Sequence, residues 1–384
     1  RASGVALEVA LSDGLAAGGS EVRWGGILPT PAVALLADGA GAVLSASHNP
    51  PEWNGVKFFA ADGFKLSDAD EAAIEALLDD PLVAEPAEED VEARWPEPDE
   101  SLGVRYAEVV AERFGGPLAG LRIACDTANG ALTGIAPRTL ERLGAQVTPL
   151  GNEPDGTNIN VGCGATDLAL LSRTVAAGEF DLGVAFDGDG DRMLAVDAAG
   201  QTVDGDAILA VVALHLGVDV VAVTSMTNVG FHRLMAERGI RVVTTDVGDR
   251  YVLEALRRDG GVLGGEQSGH LIYLDGHTTG DGLVAALLLA RAVAETGEPL
   301  DRLAAVLERF PQATENVRVR SKKLTRAIEE AVAQTNEALG DAGRVLVRPS
   351  GTEPVVRVLA EAESWSKAEE MCSRISSVVA KELG

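Results

Sequence analysis

The sequence predicts an α/β protein of three similar domains with mixed, largely parallel sheets, followed by a smaller α+β domain. Three observations carry this. Strand-like and helix-like segments alternate over most of the chain, one strand-loop-strand grammar recurs three times, and the C-terminal stretch breaks the pattern. At 384 residues the chain exceeds one ordinary core, so several domains are expected.

The alternation reads as strands at 121–126, 182–186, 220–224 and 241–245. Helices are expected at 137–143, 167–176, 206–216, 230–238 and 278–295. The recurring grammar is an apolar strand, a polar loop, a second apolar strand, a Gly-containing turn and an Asp near the start of a helix. It begins at "AGAVLSASHNPPEWNGVKFFAADGFKLSDAD", at "FDLGVAFDGDGDRMLAVDAAGQTVDGDA" and at "GGVLGGEQSGHLIYLDGHTTGDG". A repeat of this size predicts related domains presenting their loops to one place. The competing reading is chance recurrence, since any α/β chain contains strand-loop-strand units. From residue 310 the text changes to strands at 312–320, 344–350 and 355–362 with helices at 323–339 and 366–383, which suits an antiparallel α+β unit. The expected domains are 1–98, 99–201, 202–309 and 310–384, with Pro- and acid-rich 86–100 as the linker after the first.

Composition excludes several partners. There are 59 acidic against 32 basic residues, a formal net charge of −27, which repels nucleic acid and anionic membranes. Screening limits that field to roughly 8 Å at physiological salt, so local cations such as Lys57, Arg192, Arg348 and Arg357 remain able to bind phosphate. No apolar run reaches the ~18 residues of a membrane helix, and the first residues lack the pattern of a secretory leader. Cys125, Cys163 and Cys372 are odd in number and far apart, which fits a reducing, cytoplasmic setting.

Four loops carry chemistry. "FDGDGDR" places Asp187, Asp189 and Asp191 at alternate positions, a crowd of hard oxygen ligands suited to magnesium, with Arg192 beside them for a bound phosphate. An EF-hand calcium loop also starts Asp-x-Asp-x-Asp. Here its sixth position is Arg192 where Gly is required, and its twelfth is Ala198 where Glu is required. "SASHNP" sets Ser47 after an apolar strand. A serine there is commonly a turn residue, but Asn54-Gly55 predicts a tight turn returning Lys57 to the same loop. His48 and Lys57 are then candidate proton carriers beside a nucleophilic hydroxyl. "GGEQSGH" offers Glu266, Gln267, Ser268 and His270 to sugar hydroxyls. "RPSGTEP" offers Arg348, Ser350, Gly351 and Thr352, with Arg357 after it, as a phosphate cradle that is not a Walker loop. A transferable phosphoryl group accounts for all four.

These loops, in this order, resemble the signatures of the α-D-phosphohexomutase superfamily along the whole chain. The resemblance implies three α/β domains and a smaller C-terminal domain around a central cleft. It also implies Ser47 as the phosphoserine and Mg2+ held by Asp187, Asp189, Asp191 and the phosphate on Ser47. By the same resemblance Glu266 and Ser268 read the sugar, and Arg348, Ser350, Gly351 and Thr352 read phosphate. "GNEPDGTNIN", "GCGAT", "VGDRYVLE" with Arg250, and Gln267 are similar to the branch acting on glucosamine phosphates; phosphomannomutases and phosphoglucomutases are the alternative. The implied reaction converts glucosamine 6-phosphate to glucosamine 1-phosphate through a bisphosphorylated sugar, in a monomer or homodimer. A non-catalytic sugar-phosphate sensor is the reading from another class. One departure is plain: the family opens with a strand, a Gly-Asp-Gly-x-Arg-Gly-like loop and an Arg-Asp-Thr-Arg stretch, whereas this sequence begins at "RASG". An expected active-site Arg is therefore absent from it, and connections before Val43 and near Gly217 are short; a protein truly lacking that opening is expected to have an incomplete first sheet.

Overall fold

The computed structural model describes residues 1, 3–78, 97–350 and 353–384. They fall into two compact units, Arg1–Met226 with Ile240–Val306, and Thr227–Gly239 with Leu307–Gly384. Most of the expected linker, 86–96, lies outside the described residues.

Among the described residues the first unit holds three sheets. Strands β1 (Ala40–Leu44) and β2 (Val56–Ala60) form an antiparallel pair in which Val43 faces Lys57. The second sheet contains β3 (Arg122–Asp126), β4 (Gln146–Leu150), β5 (Leu182–Phe186), β6 (Met193–Asp197) and β7 (Thr202–Val203), in the order β4-β3-β5-β6-β7. The third contains β8 (Val220–Thr224), β9 (Arg241–Thr245), β10 (Leu263–Gly265) and β11 (Leu271–Tyr273), in the order β11-β10-β8-β9.

The repeat is topological. Strand β3 runs parallel to β4 and β5, and β6 turns back antiparallel on β5. In the same way β8 runs parallel to β9 and β10, and β11 turns back on β10. Parallel neighbours need long crossovers, whereas an antiparallel pair closes through a short loop. Each of the three functional loops of this unit occupies such a connection: 45–55 between β1 and β2, 187–192 between β5 and β6, and 266–270 between β10 and β11.

A helix follows each pair: Asp68–Leu78, Gly205–Leu216 and Gly282–Thr296. The expected Asp is the N-cap of the latter two, where Asp204 accepts from Ala207 N and Asp281 from Val284 N. In the first copy the backbone N–H of Asp70 is instead bound by Ser67 Oγ at 3.2 Å. Helix Gly282–Thr296 is apolar on nearly every side and buried accordingly. It starts later than the expected 278 because Asp281 sets its cap and Gly280 still bridges to Ile272 of β11. Helices Gly4–Ala17, Thr30–Leu36, Ser101–Phe114, Asp249–Asp259 and Leu300–Ala304 stand in addition to those the sequence pattern predicts.

The second unit is an antiparallel sheet of β12 (Gln312–Arg318), β13 (Gly343–Pro349) and β14 (Val355–Ala362), ordered β12-β14-β13. Val356, Val358, Ala360 and Ala362 alternate inward and meet Ile328, Ile375 and Val379 from helices Arg326–Leu339 and Trp365–Leu383. Helix Val229–Glu237 belongs to this unit. Its Val229 N–H donates to Glu361 Oε2 at 3.1 Å, and Asn228 Nδ2 donates to Phe310 O at 2.9 Å.

Candidate active site

Ser47 leaves strand β1 in the left-handed backbone region, at φ +48°. Ser45 Oγ accepts its N–H at 2.9 Å, and Ser47 Oγ donates to Asp187 Oδ2 at 2.6 Å. His48 Nδ1 lies 3.4 Å from the same hydroxyl. Strand β2 returns Lys57, whose Nζ sits 2.6 Å from Asp189 Oδ2 and 3.4 Å from Asp191 Oδ2. The return is not made by a tight Asn54-Gly55 turn, as the sequence suggested. The chain reverses earlier, where Trp53 N donates to Pro50 O, and Gly55 O instead accepts from Ser45 N. Burial and the Arg192 charge lower the His48 pKa, leaving its imidazole neutral at pH 7. Burial opposes the Lys57 charge, but Asp189 and Asp191 outweigh it and hold the ammonium above the usual lysine range.

Asp187, Asp189 and Asp191 are all buried, with ligand oxygens within 4.8 Å of one another. Gly190 turns the loop at φ +75° and donates its N–H to Asp187 O. Thr30 Oγ1 and Lys57 both donate to Asp189 Oδ2, while Asp189 Oδ1 is buried with no hydrogen-bond partner. Burial and repulsion from Asp191 and Asp189 push the Asp187 carboxyl well above its ordinary range. Lys57 and Arg192 answer part of this buried charge, but Asp189 Oδ1 stays orphaned, so the triad fits a further cation, a metal ion. Arg192 donates its N–H to Asp187 Oδ1 at 3.1 Å and places Nε 3.9 Å from Asp191 Oδ1.

The loop after β10 leans on the metal loop, since Met193 N donates to Gly269 O at 3.0 Å. Glu266 and Gln267 are half-buried, and Ser268 is exposed with Oγ 3.5 Å from Glu266 Oε2. His270 is buried with Nδ1 3.9 Å from Asp191 Oδ1 and Nε2 3.7 Å from Asp249 Oδ2. Lys65 pairs with Asp249, whose carboxyl is lowered to about 2: burial opposes this, and His270 and Lys65 outweigh it. Arg250 follows at the helix start, its guanidinium 5.9 Å from the Tyr251 ring centre.

In the second unit Arg348 on β13 faces Arg357 on β14. Two cross-strand guanidinium groups repel unless an anion or carboxylate answers them, and Glu353 answers Arg357 at 3.1 Å. Ser350 is buried, with Oγ accepting from Glu353 N at 3.2 Å. Gly351 and Thr352 lie outside the described residues.

Comparison with known proteins decides the family. Residues 1–82, 105–200, 204–310 and 315–378 match the four domains described as phosphoglucomutase/phosphomannomutase alpha/beta/alpha domains I, II and III and C-terminal domain. Phosphoglucosamine mutase from Pelotomaculum thermopropionicum is 47% identical, over 99% of this chain and 88% of that protein. The Bacillus subtilis protein of that name is 43% identical over 100% and 89%, and the Frankia casuarinae one 50% over 99% and 86%. The chain belongs to the α-D-phosphohexomutase superfamily. This phosphohexomutase is therefore an enzyme, an isomerase that moves phosphate within a sugar. Its fold is shared by a phosphoglucomutase/phosphomannomutase family protein from Burkholderia thailandensis, with TM-score 0.79 and 23% identity over 97% of this chain and 86% of that one. It is shared too by Aspergillus fumigatus N-acetylphosphoglucosamine mutase, solved with GlcNAc-6P and magnesium, with TM-score 0.68 and 20% identity over 92% and 91%.

Of the residues singled out in the phosphohexomutase sequence, the first unit gathers Ser47, His48, Lys57, Asp187, Asp189, Asp191 and Arg192 within direct contact. Thr30, Lys65, Asn160 and Asp249 also meet this site, and the sequence motifs assign none of them a role. Thr30 and Lys65 sit in unremarkable text, but Asn160 and Asp249 fall inside "GNEPDGTNIN" and "VGDRYVLE", strings that stood out for their spelling without a role.

Proposed function

We propose that this phosphohexomutase interconverts glucosamine 6-phosphate and glucosamine 1-phosphate through phosphoserine at Ser47 and a bisphosphorylated sugar. The observation that carries the chemistry is the Ser47 hydroxyl, held 2.6 Å from a carboxylate of a buried Asp triad. The sugar assignment rests on relatives named phosphoglucosamine mutase at 43–50% identity over nearly the whole chain.

Asp187, Asp189 and Asp191 would hold Mg2+, which supplies positive charge to the transferring phosphoryl oxygens. The chain's own groups do the rest. Neutral His48 accepts a proton near the Ser47 hydroxyl, and charged Lys57 and Arg192 offset negative charge at the same centre. Arg250, Glu266, Gln267 and Ser268 read sugar hydroxyls. Arg348, Ser350, Gly351, Thr352 and Arg357 read the phosphate that is not being transferred. Three buried, unpaired cysteines suit a cytoplasmic enzyme. Among the described residues no helix is long and apolar enough to cross a membrane.

The test measures kcat/KM on glucosamine, glucose and mannose 6-phosphates, with intact-protein mass spectrometry for phosphate on Ser47. Glucosamine is expected to be preferred and Ser47→Ala to be inactive. Equal rates on the three sugars would overturn the sugar assignment in favour of a phosphoglucomutase/phosphomannomutase. Substantial turnover by Ser47→Ala would overturn the phosphoserine.

A further inference from the structure

The strings "DTANGA" and "GNEPDGTNINVGCGAT" have no role in the chemistry above, yet the backbone is most unusual there. The non-glycine residues with left-handed backbone among the described residues are Ser47, Ala128, Asn129 and Asn160, at φ +48°, +57°, +48° and +60°. Such conformations persist only where the surroundings over-determine them. They are over-determined here. Buried Asp126 accepts from Ala128 N at 3.0 Å and Gly164 N at 2.9 Å, and Asn160 N donates to Ala128 O at 2.9 Å. Asn129 Oδ1 accepts from Glu153 N, and Ala131 N donates to Gly188 O at 2.9 Å.

This scaffold delivers one side chain to the site. Asn160 Nδ2 donates to Ser47 O at 3.0 Å and reaches Asn49 O at 3.4 Å. The same Nδ2 lies 2.9 Å from where a Cβ on Gly188 would stand, and Gly188 is the residue between Asp187 and Asp189. Only a donor suits that spot, since a carboxylate or a reversed amide would set oxygen against two carbonyls. Asn160 thus touches the nucleophile turn and the metal loop at once.

We propose that Asn160 is a positioning residue for phosphoryl transfer, fixing the Ser47 turn against the Asp loop so that the hydroxyl and the triad keep their spacing. This rests on the phosphoserine reading of Ser47. Arg1 also donates to Ser47 O, at 2.8 Å, so the carbonyl is held from two sides. Asn160 is assigned no contact with the sugar, and its loss therefore acts on the rate of transfer and not on sugar binding.

The experiment uses Asn160→Gly and Asn160→Asp. Both residues tolerate φ near +60°, so both are expected to fold, as thermal unfolding will report. A misplacement of about 1 Å costs on the order of 100-fold in rate, so kcat is expected to fall about 10- to 100-fold with KM for glucosamine 6-phosphate within about twofold of wild type. Single-turnover transfer from phosphorylated Ser47 is expected to slow equally, and amide exchange in the 45–50 segment to speed up. Wild-type kcat in Asn160→Gly overturns the proposal, as does a raised KM with unchanged kcat. Ser47→Ala is run beside them: turnover in that variant sinks the phosphoserine reading itself, whatever Asn160 does.

Discussion

Asp187 shows how a single residue is held against its own stability. Burial and two neighbouring carboxylates disfavour its charge, so without a bound metal this position opposes an ionised carboxylate even with Arg192 nearby. Asp187→Asn keeps the shape; its one oxygen can stay on the Arg192 N–H while its amide N–H donates to Ser47 Oγ, which is able to accept. In chelator the variant is expected to be more stable than wild type, because it removes a charge that burial and two neighbouring carboxylates oppose. With Mg2+ the order is expected to invert, and the half-activating concentration to rise at least about tenfold. Thermal melts with and without metal, alongside a magnesium titration, check both halves. A chelated variant less stable than wild type would refute the repulsion account.

At the scale of elements, the helices after the second and third strand pairs begin with glycines that lie under functional loops. Gly205 N donates to Gln267 O at 3.1 Å, and a Cβ there would stand 2.1 Å from Glu266 O. Gly282 N donates to Gly190 O at 2.9 Å, and a Cβ there would stand 2.5 Å from Arg192 O. Helix propensity alone favours Ala over Gly by about 1 kcal/mol. Backbone contact overrides it here, and the two substitutions separate by function. Gly205→Ala displaces the 266–270 loop, proposed above to read the sugar, and is expected to raise KM by about tenfold. Gly282→Ala displaces the metal loop and is expected to weaken metal activation and lower kcat by at least about as much. Steady-state kinetics at several metal concentrations distinguish them.

Helix Val229–Glu237 carries a pH-dependent element of its own. Burial and the Arg344 charge lower His232 to about 4, and its Nε2 is buried without a hydrogen-bond partner. The unfolded chain, with histidine near 6.5, binds more protons than the folded one between about 6.5 and 4. Stability of this unit is therefore full above about pH 6.5 and declines as pH falls through about 4. Amide exchange across the helix is expected to accelerate from pH 6.5 to 4.5 relative to the intrinsic exchange rate, and His232→Gln to flatten that dependence.

Over the whole molecule, a net charge of −27 meets an anionic substrate. Screening keeps the global field short-ranged, so binding depends on local cations. Arg348 tests this. Its cross-strand neighbour Arg357 is answered by Glu353, and a phosphate at Arg348 gains a charge-assisted contact of ~1.5–3 kcal/mol. Arg348→Ala is expected to lower kcat/KM about 10- to 100-fold, and to increase the fraction of phosphoenzyme lost to water, because remote phosphate binding supports the chemical step. Single-turnover reaction of phosphorylated enzyme with sugar phosphate reads both. An unchanged kcat/KM removes Arg348 from the substrate site.

Local features are legible in the amino-acid sequence. Strand-loop-strand periodicity, three Asp at alternate positions, a Ser after an apolar strand and a C-terminal change of grammar are short-range signals, and strand Val355–Ala362 has the bounds expected of it. Helix starts moved by a few residues wherever a cap decided them, as at Thr325 and Asp281. Tertiary structure alone decided the rest, because the partners are far apart along the chain. Thr30 meets Asp189 across 159 residues, Asn160 meets Ser47 across 113, and Lys65 meets Asp249 across 184. Nothing within a turn's length of Thr30 or Lys65 marks either one, since the need for their donors is created only by carboxylates that folding buries beside them.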